Sequence, residues 1–303
     1  MTTSSIAWFD GFTPIDHVHQ GTRIHARVGG RADAPALLLV HGYPQTHAMW
    51  ARVAQRLASH FRIVLPDLRG YGDSDKPVGA ADHANYSKRA MAGDLAALMR
   101  HLGHEQYFVA GHDRGGRVAH RLALDAPDAV RKLCLLDIAP TLDMYNATDM
   151  RFASAYYHWF FLIQPTPRPE RVIGADAMGY LHWKLGGWGS ARASFIEPEA
   201  LREYERCFAM SETIHATCED YRASAGIDLE HDRASRAAGQ KIACDVHVMV
   251  GERGVVHALF DAPALWRAQC SGAVTSATLH CGHFMAEELS QETADELLHF
   301  FAH

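Results

Sequence analysis

Short apolar runs alternate with helix-forming segments along roughly the first half of the chain. Continuous apolar runs bounded by turn-forming residues are typical of strands buried inside a parallel sheet. The runs that predict such strands are ALLLVHG (36–42), RIVLPDL (62–68), QYFVAGHD (106–113) and KLCLLDI (132–138). Helical periodicity predicts one helix in YSKRAMAGDLAALMRHLG (86–103), ending at a glycine, and another from Arg114 to about Leu124.

The alternation stops at residue 141 and returns near residue 240. Residues 141–239 are rich in aromatic residues and helix formers, and QPTPRPE (164–170) predicts a rigid turn among them. The elements predicted afterwards are the strand DVHVMVGE (245–252), a helix around DAPALWRAQ (261–269), the strand SATLH (276–280) and a final helix EELSQETADELLHFFAH (287–303). This pattern predicts an α/β fold with a mostly parallel central sheet flanked by helices. We expect a core of residues 1–140 and 240–303, with residues 141–239 inserted as a helical cap over the strand ends.

Composition and charge narrow the classes of partner. The 303 residues are 48% hydrophobic and carry a formal net charge of −6, so a large core is expected and nucleic acid is not expected as a partner. No apolar run is long enough to span a bilayer, and the start MTTSSIAWFDGFTP lacks the features of a signal peptide. A basic pocket inside an acidic protein would suit a small anionic substrate.

Cysteine and histidine usage predicts neither disulfides nor a metal site. The six cysteines are scattered without a C-x-x-C pair, which is typical of reduced thiols in a cytoplasmic protein. His17 and His19 could share the face of a strand, but the 21 histidines form no recognisable ligand motif. We therefore expect no metal and no cofactor.

The segment FVAGHDRGGRVAH (108–120) is the most informative part of the chain. It predicts a strand, a tight turn and a helix, the outline of a nucleophile elbow, G-x-S-x-G. Asp113 stands where the serine would be, and Gly111 and Gly115 would allow the close backbone packing. The alternative interpretation is that Asp113 simply caps the helix.

Two further residues complete a catalytic triad in the expected chain order. Asp137 follows the next predicted strand, and His283 follows the last strand in LHCGHFM, so all three would meet at one sheet edge. An attacking carboxylate forms an ester that activated water can hydrolyse, whereas a serine attacking a saturated carbon would leave an ether. Asp113 therefore indicates displacement at a saturated carbon, with His283 as the base for water and Asp137 orienting the imidazole.

The loop VHGYPQ (40–45) is a candidate for the oxyanion hole. In an elbow enzyme of this type, a His-Gly-x-Pro loop supplies one backbone N–H and the residue after the nucleophile supplies another. This assigns the backbone amides of Tyr43 and Arg114. A β-turn without further role is the alternative.

Two arginines follow the aspartate. Arg114 and Arg117 are three residues apart at the start of a helix, so both can lie on one face. Their charges would keep Asp113 ionised, and guanidinium groups match the geometry of a substrate carboxylate. The alternative is that both arginines face solvent or form salt bridges with the cap.

From about Gly30 onwards the chain resembles the fluoroacetate (haloacetate) dehalogenases of the α/β-hydrolase superfamily. The resemblance rests on HGYPQ, DLRGYGDSDKP, GHDRGGRVAHRLALD, DIAPT, YYHWFFLIQP, CEDYRA and GHFMAEE. It implies an α/β-hydrolase fold and a homodimer. It also implies that water hydrolyses a haloacetate to glycolate and halide through an ester on Asp113. It also implies that Arg114 and Arg117 clamp the substrate carboxylate.

The same resemblance assigns a halide pocket in the cap. The matching residues are His158, Trp159 and Tyr221 as halide donors, with Trp188 of KLGGWGS as a pocket-lining residue. On composition alone these would be ordinary cap-core aromatics and a surface histidine. Tyr43 departs from the family, which more often has phenylalanine at that position, and its hydroxyl could change substrate size or hydration.

Epoxide hydrolase is the alternative function, because it also uses an aspartate elbow. The cap tyrosines that could protonate an epoxide oxygen are Tyr156, Tyr157 and Tyr221. Such enzymes usually take the triad acid from the loop GERGVV, where Gly254 stands here and Glu252 is the nearest substitute. Neutral epoxides, like the substrates of haloalkane dehalogenases, also give no reason for paired arginines. A non-catalytic binding protein on the same fold is a third hypothesis.

Overall fold

The computed structural model describes residues 8–188 and 194–302. The first seven residues of the N-terminal stretch lie outside the described residues. So do Gly189 and Ser190 of the KLGGWGS motif, and His303 at the end of the predicted last helix.

An eight-stranded sheet forms the centre of the molecule. Its strands are β1 Thr13–His19, β2 Thr22–Gly30, β3 Ala36–Val40, β4 Arg62–Pro66, β5 Tyr107–His112, β6 Val130–Leu136, β7 Asp245–Gly251 and β8 Val274–Leu279. They lie in the order β1-β2-β4-β3-β5-β6-β7-β8. Strand β2 pairs antiparallel with β1 and β4, and the remaining neighbours are parallel. The prediction of a mostly parallel sheet is therefore confirmed.

Burial explains which strands the apolar pattern could predict. Every residue of β3 and β5 is buried, as expected for strands covered on both faces. Strand β1 is at most half-buried and mixes histidines with other polar residues, so its apolar signal is weak. Gln20 and Gly21, with φ of 47° and 78°, form the tight turn that joins β1 to β2. This hairpin was not predicted as a pair of strands.

Fifteen α-helices are present in the described residues. They are α1 Ala51–Leu57, α2 Lys88–His101, α3 Arg114–Asp125, α4 Thr141–Asn146, α5 Met150–Ala155, α6 Tyr157–Phe161, α7 Arg168–Ala175, α8 Ala177–Trp188, α9 Pro198–Phe208, α10 Ser211–Ala225, α11 Ile227–Ala237, α12 Val255–Leu259, α13 Ala262–Gln269, α14 Met285–Glu288 and α15 Ser290–Ala302. The predicted final helix is two helices, because Leu289 has non-helical backbone angles of −136° and 59°. None of the described helices combines the length and the apolar character that a bilayer crossing requires.

Eight helices, α4 to α11, lie between β6 and β7 in the chain. They span Thr141 to Ala237, and the described part of this segment contributes no strand to the sheet. Contacts with the core include the Tyr71 hydroxyl, which donates to Asp220 of α10 at 2.6 Å. We propose that this segment, residues 141–239, is the inserted cap.

A buried glutamate joins the core to this helical segment. Glu287 of α14 accepts a hydrogen bond from the Tyr204 hydroxyl of α9 at 2.9 Å and another from the side-chain amide of Gln45. Burial raises the pKa of Glu287 to about 8, and the negative charge of Glu288 adds to this effect. The folded state therefore holds Glu287 protonated at pH values where the unfolded chain ionises it.

Glu287→Gln is expected to stabilise the protein increasingly as pH rises from about 5 to 8. The unfolded wild type loses the Glu287 proton in this window and the folded one does not, so wild-type stability falls. At pH 8 we expect the variant to gain about 1–3 kcal/mol, measured by urea unfolding at both pH values. An equal difference between variant and wild type at pH 5 and pH 8 would contradict this. Glu292→Gln, at an exposed position of α15, is the control.

Candidate active site

Asp113 stands at a strained turn between β5 and α3. Its φ is 47° and its ψ is −115°, a conformation that costs a non-glycine residue about 1–3 kcal/mol. A Cβ at Gly111 would lie 2.6 Å from the Gly115 carbonyl oxygen, and one at Gly115 would lie 2.3 Å from that of His41. Only glycine therefore fits on either side of the turn. Asp113 occupies the N-cap position, but its side chain makes no capping hydrogen bond, which leaves it available for chemistry.

The three predicted triad residues meet at the carboxyl end of the sheet. His283 Nδ1 lies 2.6 Å from Asp137 Oδ2, and His283 Nε2 lies 3.9 Å from Asp113 Oδ2. Asp137 Oδ1 also accepts the backbone N–H of Gly251 at 3.1 Å, which fixes the carboxylate. All three side chains are buried. The bond to Asp137 favours the tautomer with its proton on Nδ1, and it orients the ring so that Nε2 faces Asp113.

Electrostatics favours a charged aspartate beside a basic imidazole. Burial alone would raise the pKa of Asp113, but the positive potential of His283, Arg117 and Arg114 outweighs it and lowers that pKa. Burial opposes protonation of His283, yet the bond to Asp137 and the negative charge around it raise the pKa of the imidazole. Asp113 is thus held as a carboxylate, as a nucleophile requires.

The two oxygens of Asp113 have different surroundings. Tyr43 N donates to Oδ1 at 3.0 Å, and a Cβ at Gly42 would come within 2.6 Å of Asp113 Cβ, so this loop packs directly on the aspartate. Arg114 begins α3 immediately after Asp113. Within the described part of the chain, Oδ2 accepts no hydrogen bond and lies nearest to the imidazole of His283. Oδ2 is therefore the oxygen that can attack.

Arg114 is engaged by the helical segment above the sheet. Its Nε donates to Asp220 Oδ2 at 3.0 Å and its Nη2 donates to Asp220 Oδ1 at 2.6 Å. Its Nη1 reaches Ser224 Oγ at 3.3 Å, and the guanidinium lies 4.2 Å from the ring centroid of Tyr221. The alternative predicted for the two arginines, a salt bridge with the cap, is therefore observed for Arg114.

Arg117 has a different environment. Its Nη1 donates to the Ala139 carbonyl at 3.2 Å and to Thr141 Oγ1 at 2.8 Å, while the guanidinium stacks 4.7 Å from the ring centroid of Trp159. Its buried Nε has no hydrogen-bond partner. Among the described residues, no carboxylate forms an ion pair with Arg117, and burial together with the charge of Arg114 lowers its pKa. A buried cation without a paired acid is costly unless an anion is bound beside it.

Three of the predicted cap residues, His158, Trp188 and Tyr221, lie close together beside His283. The ring centroid of His158 lies 4.6 Å from that of Trp188 and 5.5 Å from that of Tyr221. Tyr43 lies 5.4 Å from Tyr221 by the same measure, and Trp188 lies 5.7 Å from His283. The buried atoms His158 Nδ1 and Tyr221 Oη have no hydrogen-bond partner in the described structure. Such orphaned polar atoms point to a ligand that would pair with them.

Trp159 is placed differently from the other three cap residues. It is buried against Phe152, with ring centroids 5.3 Å apart, and its ring carries the Arg117 guanidinium on one face. It therefore reaches the site through Arg117 among the described contacts.

Comparison with known proteins confirms the resemblance. The family model described as alpha/beta hydrolase fold matches residues 35–288. A fluoroacetate dehalogenase of Burkholderia sp. is 47% identical over 279 residues, which cover 92% of this chain and 90% of that protein. The chain belongs to the haloacetate dehalogenase family of the α/β hydrolases.

Other relatives carry the fold and a second activity. A soluble epoxide hydrolase of Corynebacterium sp. (strain C12) is 32% identical, covering 96% of this chain and 98% of that protein. The crystal structure of a Nostoc sp. PCC 7120 protein described as an α/β hydrolase superposes with a TM-score of 0.94. It is 50% identical and covers 97% of this chain and 99% of that chain. This member of the haloacetate dehalogenase family therefore also shares sequence with epoxide hydrolases.

The position of the triad acid is distinctive. Glu252, the nearest substitute acid after β7, is exposed and pairs with His280 away from the triad. A Cβ at Gly254 would lie 3.1 Å and 3.2 Å from the two oxygens of Asp137, so Asp137 already fills the neighbouring space. In this dehalogenase-family chain the carboxylate that contacts His283 follows β6, and a second acid at residue 254 would crowd it.

Two residues of the site were not predicted from the sequence. Asp220 holds Arg114 and also pairs with the buried Lys88, although it directly precedes Tyr221 in the quoted segment CEDYRA. Lys184 is buried, with its Nζ 4.8 Å from the ring centroid of Trp188, and burial lowers its pKa to about 7. The spacing of four residues between Lys184 and Trp188 on α8 was the available signal.

One cluster has the residue types of a metal site. Side-chain ligand atoms of Glu170, His215 and Glu219 lie within 4.8 Å of one another. Arg222 Nη1 donates to both carboxylates at 2.7 Å, so a guanidinium already balances their charge. The cluster is therefore an ion-pair network. His17 stacks on His101 with ring centroids 4.5 Å apart, which accounts for that histidine by packing.

Proposed function

We propose that this hydrolase cleaves the carbon–halogen bond of haloacetates, such as fluoroacetate and chloroacetate, to give glycolate and halide. The observation that carries the proposal is the placement of Asp113. Its Oδ1 is held by Tyr43 N at 3.0 Å, and its Oδ2 faces His283 Nε2 at 3.9 Å. A carboxylate in this position suits attack on a saturated carbon followed by hydrolysis of the resulting ester.

In the first proposed step, Asp113 Oδ2 attacks the carbon that bears the halogen. A carbon–oxygen bond forms while the carbon–halogen bond breaks, and the halide leaves with the electron pair. The substrate is then joined to Asp113 as an ester. The lowered pKa of Asp113 keeps the nucleophile ionised for this step.

In the second step, His283 accepts a proton from water, and the oxygen of that water attacks Cγ of Asp113. Negative charge then develops on Oδ1, where the N–H groups of Tyr43 and Arg114 would stabilise it. Collapse of this intermediate transfers the proton from His283 to the departing glycolate oxygen and leaves Asp113 as a carboxylic acid, which releases its proton to solvent because its pKa is lowered. Asp113 is regenerated as a carboxylate.

Arg117 supports an anionic substrate. Asp113 acts on Arg117 only at longer range, and a haloacetate carboxylate beside the guanidinium would supply the directly paired anion that the described residues do not. Arg114 already donates Nε and Nη2 to Asp220. To substrate binding it would therefore contribute mainly its positive charge and its Nη1. We therefore assign the larger share of carboxylate binding to Arg117, with Arg114 as the second member of the clamp.

Arg117→Met is expected to lower kcat/KM for chloroacetate by about 10- to 100-fold, the worth of one hydrogen bond to a charged group. Methionine keeps an apolar stem against Trp159 but removes the cation. Kinetics with chloroacetamide, the uncharged analogue, provide the comparison, and we expect its kcat/KM to change less than threefold. Equal losses for both substrates would show that Arg117 is structural.

The halide pocket is supported by the orphaned donors. The groups proposed to receive the leaving halide are His158, the indole N–H of Trp159 and the hydroxyl of Tyr221, with Trp188 lining the pocket. Fluoride is strongly hydrated, so its departure requires several donors that replace its water. Burial, together with the charge of Lys184, lowers the pKa of His158, so its ring is neutral and keeps one N–H to donate.

Epoxide hydrolysis is the second candidate, favoured by the 32% identity to an epoxide hydrolase and by the unpartnered hydroxyl of Tyr221. That hydroxyl could protonate an epoxide oxygen. Of the other two tyrosines, Tyr156 is buried with its ring 5.3 Å from His158, whereas Tyr157 is half-buried and stacks on Trp183. The unpaired charge of Arg117 favours the haloacetate.

The experiment that tests the proposal is halide release from fluoroacetate and chloroacetate side by side, with styrene oxide as a third substrate. Fluoride and chloride release would support defluorination. Chloride release alone would retain the chemistry of Asp113 but contradict a competent fluoride pocket. Diol from styrene oxide without any halide would favour the epoxide hydrolase instead.

We further propose that the enzyme is a homodimer, as the family resemblance implies, and that it is cytoplasmic, as its scattered cysteines indicate. Light scattering of the purified protein would give the oligomeric state, and cell fractionation of the native host would give the compartment.

A further inference from the structure

The loop that carries His283 connects β8 to α14 without belonging to either element. The backbone N–H of His283 donates to the carbonyl of Trp188 at 2.9 Å, and its carbonyl accepts from His112 Nε2 at 2.8 Å. These two bonds hold the residue itself. The peptide groups on either side of it need other partners to keep the imidazole in place.

Glu288 supplies both of these partners. Its Oε2 accepts the backbone N–H of Gly282 at 2.9 Å, and its Oε1 accepts that of Phe284 at 3.0 Å. The backbone N–H groups of residues 282, 283 and 284 are therefore all hydrogen-bonded, and the Glu288 carboxylate accepts the first and the third. Glu288 is partly buried at the end of α14, only five residues after the histidine.

We propose that Glu288 is a positioning residue for His283, holding the loop so that Nε2 stays directed at the ester on Asp113. The inference rests on the proposed role of His283 as general base. Glu288 touches neither the substrate nor the reacting atoms in this account. It acts through the peptide groups of Gly282 and Phe284.

A carboxylate suits this task better than its neutral analogue. Each oxygen of Glu288 takes one N–H, and hydrogen bonds to a charged acceptor are about twice as strong as neutral ones. Glutamine has one oxygen, and its NH₂ group would oppose the second N–H. Glu288→Gln therefore loses one bond and weakens the other without a change in size.

The charge of Glu288 also acts on the imidazole. The titratable groups that face His283 are Asp137, Asp113, Glu288, His112 and His158. Burial lowers the pKa of His283, and Asp137, Asp113 and Glu288 raise it. The neutral variant is therefore expected to titrate at lower pH than the wild type.

The two proposed chemical steps separate positioning from general stability. Attack by Asp113 does not use the imidazole, whereas hydrolysis of the ester does. We expect Glu288→Gln to leave the rate of the first chloride release within about twofold and to lower steady-state turnover on the order of tenfold or more. The ester on Asp113 should accumulate during turnover, which is visible by intact mass.

Rapid-quench measurement of chloride release from chloroacetate tests this expectation, with Glu292→Gln as the matched control at an exposed position of α15. A chloride burst and an accumulated ester in Glu288→Gln but not in Glu292→Gln would support the proposal. A parallel loss of burst and steady-state rates, or no loss at all, would overturn it.

A second readout needs no substrate. NMR titration of the His283 imidazole, assigned by its absence in His283→Ala, should give a lower pKa in Glu288→Gln than in the wild type and in Glu292→Gln. An unchanged pKa would count against the proposal. If the wild type releases no halide from any haloacetate, the proposed function fails, and this titration still tests Glu288.

Glu288→Asp covers the case in which the glutamine variant does not fold, as judged by circular dichroism. Aspartate keeps the charge but is one methylene shorter, so it cannot reach both N–H groups in the same way. We expect a pKa of His283 close to the wild-type value together with slowed hydrolysis of the ester. Wild-type hydrolysis in Glu288→Asp would overturn the positioning role.

Discussion

Asp113→Asn is expected to abolish halide release from every haloacetate, with a loss of at least about 10³-fold in kcat. An amide is a poor nucleophile, because the NH₂ group that would replace Oδ2 is uncharged and its lone pair is delocalised into the carbonyl. The amide oxygen can still accept the N–H of Tyr43, so the turn and the fold should persist. Ion chromatography of chloride and fluoride gives the activity, and circular dichroism gives the fold.

Asp128→Asn is the matched control, because Asp128 is exposed in the turn between α3 and β6 and takes no part in the site. It should retain wild-type activity. A folded Asp113→Asn variant that still releases halide would remove Asp113 as the nucleophile. The functional proposal would then fail with it.

His283→Ala is expected to stop the enzyme after one turnover. Attack by Asp113 proceeds, so about one halide is released per active site, but the ester lacks a base that activates water. Steady-state turnover should fall by about 10²- to 10⁴-fold, and the protein mass should rise by the mass of the bound carboxymethyl group. The measurements are a halide burst and an intact mass spectrum of the same sample.

The double variant Asp113→Asn with His283→Ala provides the control for this adduct. It should show neither the burst nor the mass increase, because the residue that forms the ester is gone. An adduct that persists in the double variant would place the covalent chemistry elsewhere. No adduct in either variant would favour the non-catalytic binding protein considered from the sequence.

Much of the fold could be predicted from the sequence because the central strands are buried on both faces. Their apolar runs, such as β3 and β5, do not depend on knowing the neighbours. The hairpin of β1, at the sheet edge, and β2 was not predicted as strands, since strands that are not buried on both faces carry a weaker apolar pattern. The final helix was predicted as one element, but it breaks at Leu289. The adjacent Glu288 accepts hydrogen bonds from the loop that carries His283.

The candidate site divides in the same way. Placing Asp113 between close-packed glycines needs only local sequence, because the turn between β5 and α3 is made by neighbouring residues. Its partners Asp137 and His283 could be predicted from chain order, since parallel strands end at the same edge of a sheet. The hydrogen bonds of Glu288 to Gly282 and Phe284 are also local, but nothing in its residue type distinguishes it from the adjacent Glu287.

The sequence by itself therefore determined the order of the elements and the proposed nucleophile that they carry. Only the tertiary structure decided which of two similar arginines is available to a substrate. Arg114 is paired with Asp220, 106 positions away in the chain, whereas no carboxylate in the described residues forms an ion pair with Arg117. The reason is physical: the cost of a buried charge depends on which opposite charge the fold brings beside it, and chain spacing does not contain that distance.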